Sequence, residues 1–74
     1  MNTDSIWTAL AEFGNARISD DVIDGAAADW GVWGEVARRW IRNQLNSEAA
    51  LEGVSLRINS LADGRLDIYL RKFT

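Results

Sequence analysis

Residues 28–40, ADWGVWGEVARRW, carry tryptophans at helical spacing on both sides of two glycines. Trp30, Trp33 and Trp40 recur at intervals that bring side chains onto one face of a helix. Glycine in a helix interior is destabilising by up to about 1 kcal/mol relative to alanine, so a single helix through this stretch is unfavourable. We therefore predict a helix that ends near Trp30, a tight turn at Gly31 and a new helix that starts near Trp33.

Apolar residues at helical spacing also mark the beginning of the chain. The segment Ser5–Phe13 has this pattern and lies between Asp4 and Gly14. We expect a first helix here, capped by Asp4 or by the serine that follows it, and stopped by the glycine. Ser19 is a suitable N-cap for the second helix, because the two aspartates after it place carboxylates in the first turn.

The helix predicted to start near Trp33 continues to about Asn46, and residues 47–53 either extend it or form a connector that ends at a glycine. We expect Trp40, together with Trp7 and Trp30, to lie in the core, because a small domain without disulfides depends on large side chains. Trp33 stands beside two glycines and is the tryptophan that best fits an exposed position, but the sequence leaves open whether it lies in the core or contacts a partner. The apolar face of this third helix is predicted to comprise Trp33, Val36, Ala37, Trp40, Ile41 and Leu45.

The last part of the chain alternates between apolar and polar residues on both sides of Asp63 and Gly64. Two alternating runs around an Asp-Gly pair are a strong signal of a β-hairpin, which we place at about residues 54–72. Residues 17–19 can form a short extended piece at most. These elements predict one α+β domain over residues 1–74, with three helices followed by a two-stranded hairpin.

The chain contains neither cysteine nor histidine, which excludes disulfides, thiolate sites and the usual zinc ligands. It has no serine elbow of the hydrolase type and no glycine-rich phosphate loop, so we expect no catalytic residue, no metal and no cofactor. Stabilisation of a helix start explains Asp20, Asp21 and Asp24 more simply than a cation site does. No apolar run reaches about 18 residues and no signal-peptide pattern is present, so we expect a cytoplasmic protein without a membrane span.

Charge is distributed unevenly along the chain. The net charge is −3, but residues 1–35 carry seven carboxylates against Arg17 alone, which gives −6. Residues 36–74 carry seven Lys and Arg against four carboxylates, which gives +3. This asymmetry favours a polar molecule that has one basic working face.

Residues 23–42 resemble the helix-turn-helix family. Gly31 stands at the turn, and Ala27 is a small residue where the two helices would cross. The apolar positions that complete the pattern are Trp30, Val32, Ala37 and Trp40. The flanking parts make the chain similar to the winged helix-turn-helix family over about residues 5–72, with the helix pair at about 20–46 and the hairpin as the wing.

This resemblance implies that the helix from Trp33 is a recognition helix in the major groove of double-stranded DNA, while Arg65 at the wing tip reaches the backbone. The implied function is that of a small transcriptional regulator or accessory factor. It implies a homodimer as well, since one small module contacts only a short half-site. The residues that the resemblance assigns to nucleic acid are Arg38, Arg39, Arg42, Asn43, Arg57, Arg65 and Arg71.

A second hypothesis is a protein-interaction module. The net charge of −3 and the Trp33-Gly34-Glu35 start of the third helix fit a small acidic inhibitor or adaptor, of the kind that mobile elements encode to block a host complex. In this case the acidic second helix engages a basic partner, and aromatic residues add contact area. The candidate partner contacts are Trp33, Tyr69, Phe73, Asp21 and Asp24.

Overall fold

The computed structural model describes residues 3–71, which form three α-helices and a three-stranded antiparallel sheet. This arrangement confirms the α+β class expected from the sequence. The elements in chain order are α1 (Asp4–Phe13), β1 (Asn15–Ile18), α2 (Asp20–Ala27), a 3₁₀ turn (Ala28–Trp30), α3 (Gly34–Glu52), β2 (Ser55–Ser60) and β3 (Leu66–Arg71).

The first two helices begin and end at short local signals. Gly14 ends α1 in the left-handed conformation, with φ 78°. The N-cap of α1 is Thr3, whose side chain makes no capping hydrogen bond, so the expectation that Asp4 or the next serine caps this helix is wrong. The expectation for α2 is confirmed, because Ser19 Oγ accepts a hydrogen bond from the backbone N–H of Val22 at 3.3 Å.

The connection between α2 and α3 contains two glycines at positive φ. The α-helix stops at Ala27 and is followed by a single 3₁₀ turn, Ala28–Trp30. The predicted helix end near Trp30 therefore matches the end of the 3₁₀ turn and not the end of α2. Gly31 then has φ 69° and Gly34 has φ 61°. L-residues with side chains rarely adopt this region, so both positions favour glycine and the chain divides into two helices here.

Helix α3 continues beyond Asn46, because residues 47–52 extend it instead of forming a connector. Gly53 ends it with φ 71°, and the N–H of Val54 bonds to the carbonyl of Ala49 at 3.0 Å. This pattern of bonds is that of a glycine-terminated helix, in which the last carbonyls are satisfied by the residues just beyond the end.

The sheet has the order β1-β3-β2 with both pairings antiparallel. The predicted two strands of the 54–72 region are Ser55–Ser60 and Leu66–Arg71. The short extended piece expected near residues 17–19 forms β1 and pairs with β3 as a third strand. Its register places Ile18 opposite Leu66, so one more apolar side chain joins the inner face of the sheet.

The core is aliphatic. Ala27 of α2 and Ala37 of α3 are fully buried, and such small residues let two helices approach closely. Trp40 is 43% exposed, so its predicted place in the core is wrong, and Trp7 and Trp30 pack only against the core edge. The reason is that the buried face of α3 consists of Ala37, Ile41, Leu45 and Ala49, so Trp40 lies at the side of this face. The buried cluster comprises Ile6, Leu10, Ile18, Ile23, Ala27, Ala37, Ile41, Leu45, Leu66 and Ile68.

Candidate interaction surfaces

Three large apolar residues lie exposed at the start of α3. Trp33 is 74% exposed, Trp40 is 43% exposed, and Val36 between them is exposed as well. Val36 and Trp40 are four residues apart and lie on one side of the helix, and Trp33 is the extended N-cap residue immediately before its first turn. We call these three residues the α3 stripe. The sequence left open whether Trp33 lies in the core or contacts a partner, and the structure exposes it.

Trp30 extends the apolar surface beside the α3 stripe. Its ring lies 5.3 Å from that of Trp40 between centroids, with the planes tilted by 50°. This is a favourable aromatic packing geometry. A shallow groove follows along α3 from this pair and is lined further by Asn43, Gln44 and Ser47.

An aspartate of α2 positions the start of α3. Asp24 Oδ1 accepts a hydrogen bond from the backbone N–H of Gly34 at 2.8 Å. The carboxylate thereby satisfies one of the free N–H groups of the first turn and lies at the positive end of the helix dipole. Asp24 was predicted as a partner contact, and one of its oxygens is engaged within the domain. Asp21 is exposed in the first turn of α2.

Arg38 of α3 is turned toward α2. Its Nη1 donates to Asp20 Oδ1 at 2.7 Å, and its Nη2 donates to Glu35 Oε2 at 3.1 Å. The Arg38 side chain is only 19% exposed. Two carboxylates therefore surround one guanidinium, and this Arg38 cluster (Asp20, Glu35 and Arg38) carries a formal charge of −1.

The turn that joins β2 and β3 packs against the Arg38 cluster. A Cβ placed on Gly64 would lie 3.0 Å from Asp20 Oδ1 and 3.3 Å from Arg38 Nη1. Gly64 itself has φ 93°. The turn at residues 61–65 thus lies close to both helices of the α2–α3 pair.

Two other predicted nucleic-acid contacts are engaged inside the domain. Arg42 Nη2 donates to Ser60 Oγ of β2 at 2.6 Å. Arg65 Nε lies 2.6 Å from Asp63 Oδ2, and the backbone N–H of Arg65 donates to Asp63 Oδ1 at 3.2 Å. That N–H, followed by the charge of Arg65, lowers the pKa of Asp63. Arg65 therefore stabilises its own turn.

Arg39 and Asn43 are exposed on the outer side of α3. They are four residues apart and share one helix face. Within residues 3–71, neither side chain makes a hydrogen bond or an ion pair. These two residues remain available at the position where the sequence predicted nucleic-acid contacts.

The strand arginines lie on a different side of the domain. Arg57 is opposite Tyr69, and Ser55 is opposite Arg71, so these side chains share the sheet face that the helices do not cover. The residues predicted to contact nucleic acid are therefore divided between α3, the 61–65 turn and this outer sheet face. Phe73, which was predicted on the same face as Tyr69, lies outside the described residues.

An ion pair across the sheet was not predicted from the sequence. Arg17 Nε donates to Asp67 Oδ1 at 2.6 Å, and the hydrogen bond and charge of Asp67 raise the pKa of Arg17. Asp67 is buried, although it lies on the outer sheet face. The pairing of β1 with β3 would have indicated this contact, because the register places the two residues opposite each other.

A second network that was not predicted joins α1 to the far end of α3. Glu48 Oε1 accepts hydrogen bonds from Thr3 Oγ1 at 2.7 Å and Trp7 Nε1 at 2.9 Å, and Oε2 accepts one from Gln44 Nε2 at 3.1 Å. Burial alone raises the pKa of Glu48. The three donors outweigh this effect, and the pKa lies below its ordinary value of 4.5.

No family model, curated protein or solved structure matches the chain. Among residues 3–71, the acidic side chains form no group of three or more that could hold a metal ion. None of the helices in this range is long and apolar enough to cross a bilayer.

Proposed function

We propose that this domain is a winged helix-turn-helix module that binds a partner protein through the α3 stripe. The observation that carries the proposal is the exposure of Trp33 at the N-cap of α3, together with the exposure of Val36 and Trp40 in the first turns of that helix. The winged-helix assignment is supported by the element order helix, strand, helix, helix, strand, strand and by the sheet order β1-β3-β2. The glycine turn between α2 and α3 also fits that family.

The apolar area of Trp33 is large enough to matter energetically. A tryptophan buries up to about 250 Å² in an interface, so a residue that is 74% exposed leaves up to about 185 Å² to be covered. At about 25 cal/mol per Å² this area corresponds to at most about 5 kcal/mol of gross stabilisation on binding. Tryptophan is also among the residues most enriched at the energetic centres of protein interfaces. These magnitudes favour a protein partner for the α3 stripe.

The charges of α3 support a protein partner ahead of duplex DNA. Affinity for a duplex depends on several cations that each replace a counterion at a phosphate. Arg38 is already neutralised by Asp20 and Glu35, and Arg42 is tied to Ser60. The start of α3 therefore presents indole rings and a carboxylate where a DNA-reading helix presents hydrogen-bond donors to the bases.

The partner surface that fits this arrangement is an apolar pocket with a basic rim. Asp29 and Glu35 are exposed next to Trp30 and Gly34 respectively, so carboxylates border the α3 stripe. Complementary charges at the edge of an interface speed association and select the correct partner. The chain would act as a small acidic inhibitor or adaptor, in which Asp21 of α2 adds a further negative charge.

The experiment compares proteins captured from a lysate of the source cells by the immobilised wild type, Trp33→Ala and Leu51→Ala. Leu51 is a matched control because it is 88% exposed at the other end of the same helix. A captured protein would be identified, purified and titrated calorimetrically. Loss of about 2 kcal/mol or more, which is at least roughly 30-fold in affinity, is expected for Trp33→Ala only.

Circular dichroism must show that Trp33→Ala folds as the wild type does, and this is expected because the side chain is mostly exposed. Charge reversal at Glu35 should weaken the same complex through its rim. The proposal fails if no purified partner distinguishes the wild type from Trp33→Ala, or if Leu51→Ala weakens binding equally.

Duplex DNA binding is the second candidate, as a homodimeric transcriptional regulator or accessory factor. The specific observation in its favour is that Arg39 and Asn43 are exposed on one face of α3 and are unpaired within residues 3–71. Arginine and asparagine pair bidentately with guanine and adenine in the major groove. A salt-sensitive shift of mixed duplex DNA that Arg39→Ala abolishes would support this candidate, and its absence in the wild type would exclude it.

A further inference from the structure

The outer face of the sheet differs in charge from the rest of this acidic protein. The helices cover the other face, which contributes Leu66 and Ile68 to the core. Alternation along β3 and the register of both pairings define the outer side chains. The side chains that form this outer sheet face are those of Asn15, Arg17, Ser55, Arg57, Asn59, Asp67, Tyr69 and Arg71.

This face carries three guanidinium groups and a single carboxylate. Asp67 is held by Arg17 at 2.6 Å, so that pair is internally neutral. Arg57 and Arg71 have no hydrogen-bond or ion-pair partner within residues 3–71. The outer sheet face thus has a formal charge of +2, whereas the whole chain has −3.

The two unpaired arginines are close enough to share an anion. Arg57 is opposite Tyr69 and Arg71 is opposite Ser55, so the arginines are diagonal neighbours across β2 and β3. Diagonal positions lie about 7–8 Å apart, which long side chains span easily. Like charges at this separation repel each other, and a phosphate between them would relieve the repulsion and accept hydrogen bonds from both guanidiniums.

An aromatic ring occupies the middle of the same face. Tyr69 lies on the central strand, is 40% exposed and has Arg57 and Asn15 opposite it on either side. Directly opposed Cβ atoms lie about 5 Å apart, so the Tyr69 and Arg57 side chains start from neighbouring positions on this face. Asn59 on the neighbouring row adds an exposed side-chain amide.

We infer that the outer sheet face binds single-stranded nucleic acid, with a base stacked on Tyr69 and a backbone phosphate held by Arg57 and Arg71. A stacking ring needs an unpaired base, and a duplex has none to offer. The three strands form a platform about 10 Å wide, which accommodates an extended strand. An acidic peptide would use the arginines but would leave the aromatic ring without a stacking partner. This binding is independent of the α3 stripe and goes beyond the proposed function.

The test measures anisotropy of a fluorescein-labelled twelve-nucleotide oligodeoxythymidine, and its ribose counterpart, titrated with the full chain at low salt. Tyr69→Leu is expected to weaken binding about tenfold, because the base loses the aromatic ring on which it stacks. Tyr69→Phe keeps the ring and should bind within about twofold of the wild type. Arg57→Gln with Arg71→Gln should weaken binding and reduce the salt slope.

Arg39→Gln is the matched control, because it removes an exposed, unpaired arginine from α3 and should leave the affinity unchanged. Trp33→Ala should also have no effect, so this result is separable from a failure of the proposed function. Circular dichroism establishes that each variant is folded.

Three outcomes would overturn the inference. The first is the absence of salt-sensitive binding of either oligonucleotide by the wild type. The second is sensitivity to Arg39→Gln but not to Tyr69→Leu, which would indicate contact through α3. The third is equal binding of a polyglutamate peptide that Tyr69→Leu does not weaken, which would indicate an acidic protein partner.

Discussion

Replacement of Asp24 by alanine should weaken the start of α3, and with it the presentation of Trp33. The Asp24 carboxylate accepts the Gly34 N–H at 2.8 Å from a different helix. Loss of a capping hydrogen bond costs about 1 kcal/mol, and loss of a carboxylate at the positive end of a helix dipole costs about 0.5 kcal/mol. We therefore expect Asp24→Ala to lower the free energy of unfolding by about 1.5 kcal/mol.

Asp24→Asn separates the two contributions, because its side-chain oxygen can still accept the hydrogen bond while the charge is lost. We expect only about 0.5 kcal/mol for this variant. Urea unfolding followed by circular dichroism provides the measurement. With a slope of about 1 kcal/mol/M for a domain of this size, the midpoint should fall by roughly 1.5 M for alanine and 0.5 M for asparagine.

Asp29→Ala is the control, because Asp29 is exposed in the 3₁₀ turn and its replacement removes the same formal charge as Asp24→Ala does. The Gly34 amide should also exchange faster with solvent deuterium in Asp24→Ala than in Asp29→Ala. Equal midpoints for Asp24→Ala and Asp29→Ala would refute the reasoning. A loss in Asp24→Asn as large as that in Asp24→Ala would show that charge, not the hydrogen bond, stabilises the start of α3.

Three further predictions concern other parts of the domain. Gly64→Ala should destabilise the fold by about 1–2 kcal/mol in urea unfolding, because alanine is strained at φ 93° and its Cβ would crowd the Arg38 cluster; an unchanged midpoint would contradict the packing of the turn. Glu48→Gln should lose stability above pH 4.5, and its deficit should shrink in acid, because a lowered pKa stabilises the folded state only until the carboxylate is protonated; a deficit that persists in acid argues against this origin. Trp40→Ala should cost about 2 kcal/mol by thermal unfolding, since the ring is partly buried and packs on Trp30; a loss as large as that of a core residue would be inconsistent with its exposure.

The local breaks in the chain could be predicted from the sequence alone. Gly14, Gly31 and Gly53 each mark a helix end at a residue with positive φ, and Ser19 caps α2 as its side chain predicts. These signals act over a few residues, because a glycine or a cap changes the backbone energy at its own position. The order of the three helices and the last two strands followed from them.

The composition of the core could not be predicted in the same way. Helical spacing places Trp40 near the apolar face, but spacing does not show which of two neighbouring residues points directly inward. The packing of α3 decides this, because Ala37, Ile41 and Leu45 are fully buried while Trp40 is 43% exposed. The indole rings are consequently left on the flank.

The sequence by itself determined the α+β class and the order of the three helices and the last two strands, since each depends on local backbone preference. Only the tertiary structure decided which arginines are available. Arg38 forms an ion pair with Asp20, which is 18 residues away in the sequence, and Arg17 pairs with Asp67, which is 50 residues away. A charge pattern along the chain does not contain these pairings, because they depend on which helices and strands pack together. The arginines of the basic half of the sequence are therefore divided between α3, the 61–65 turn and the outer sheet face.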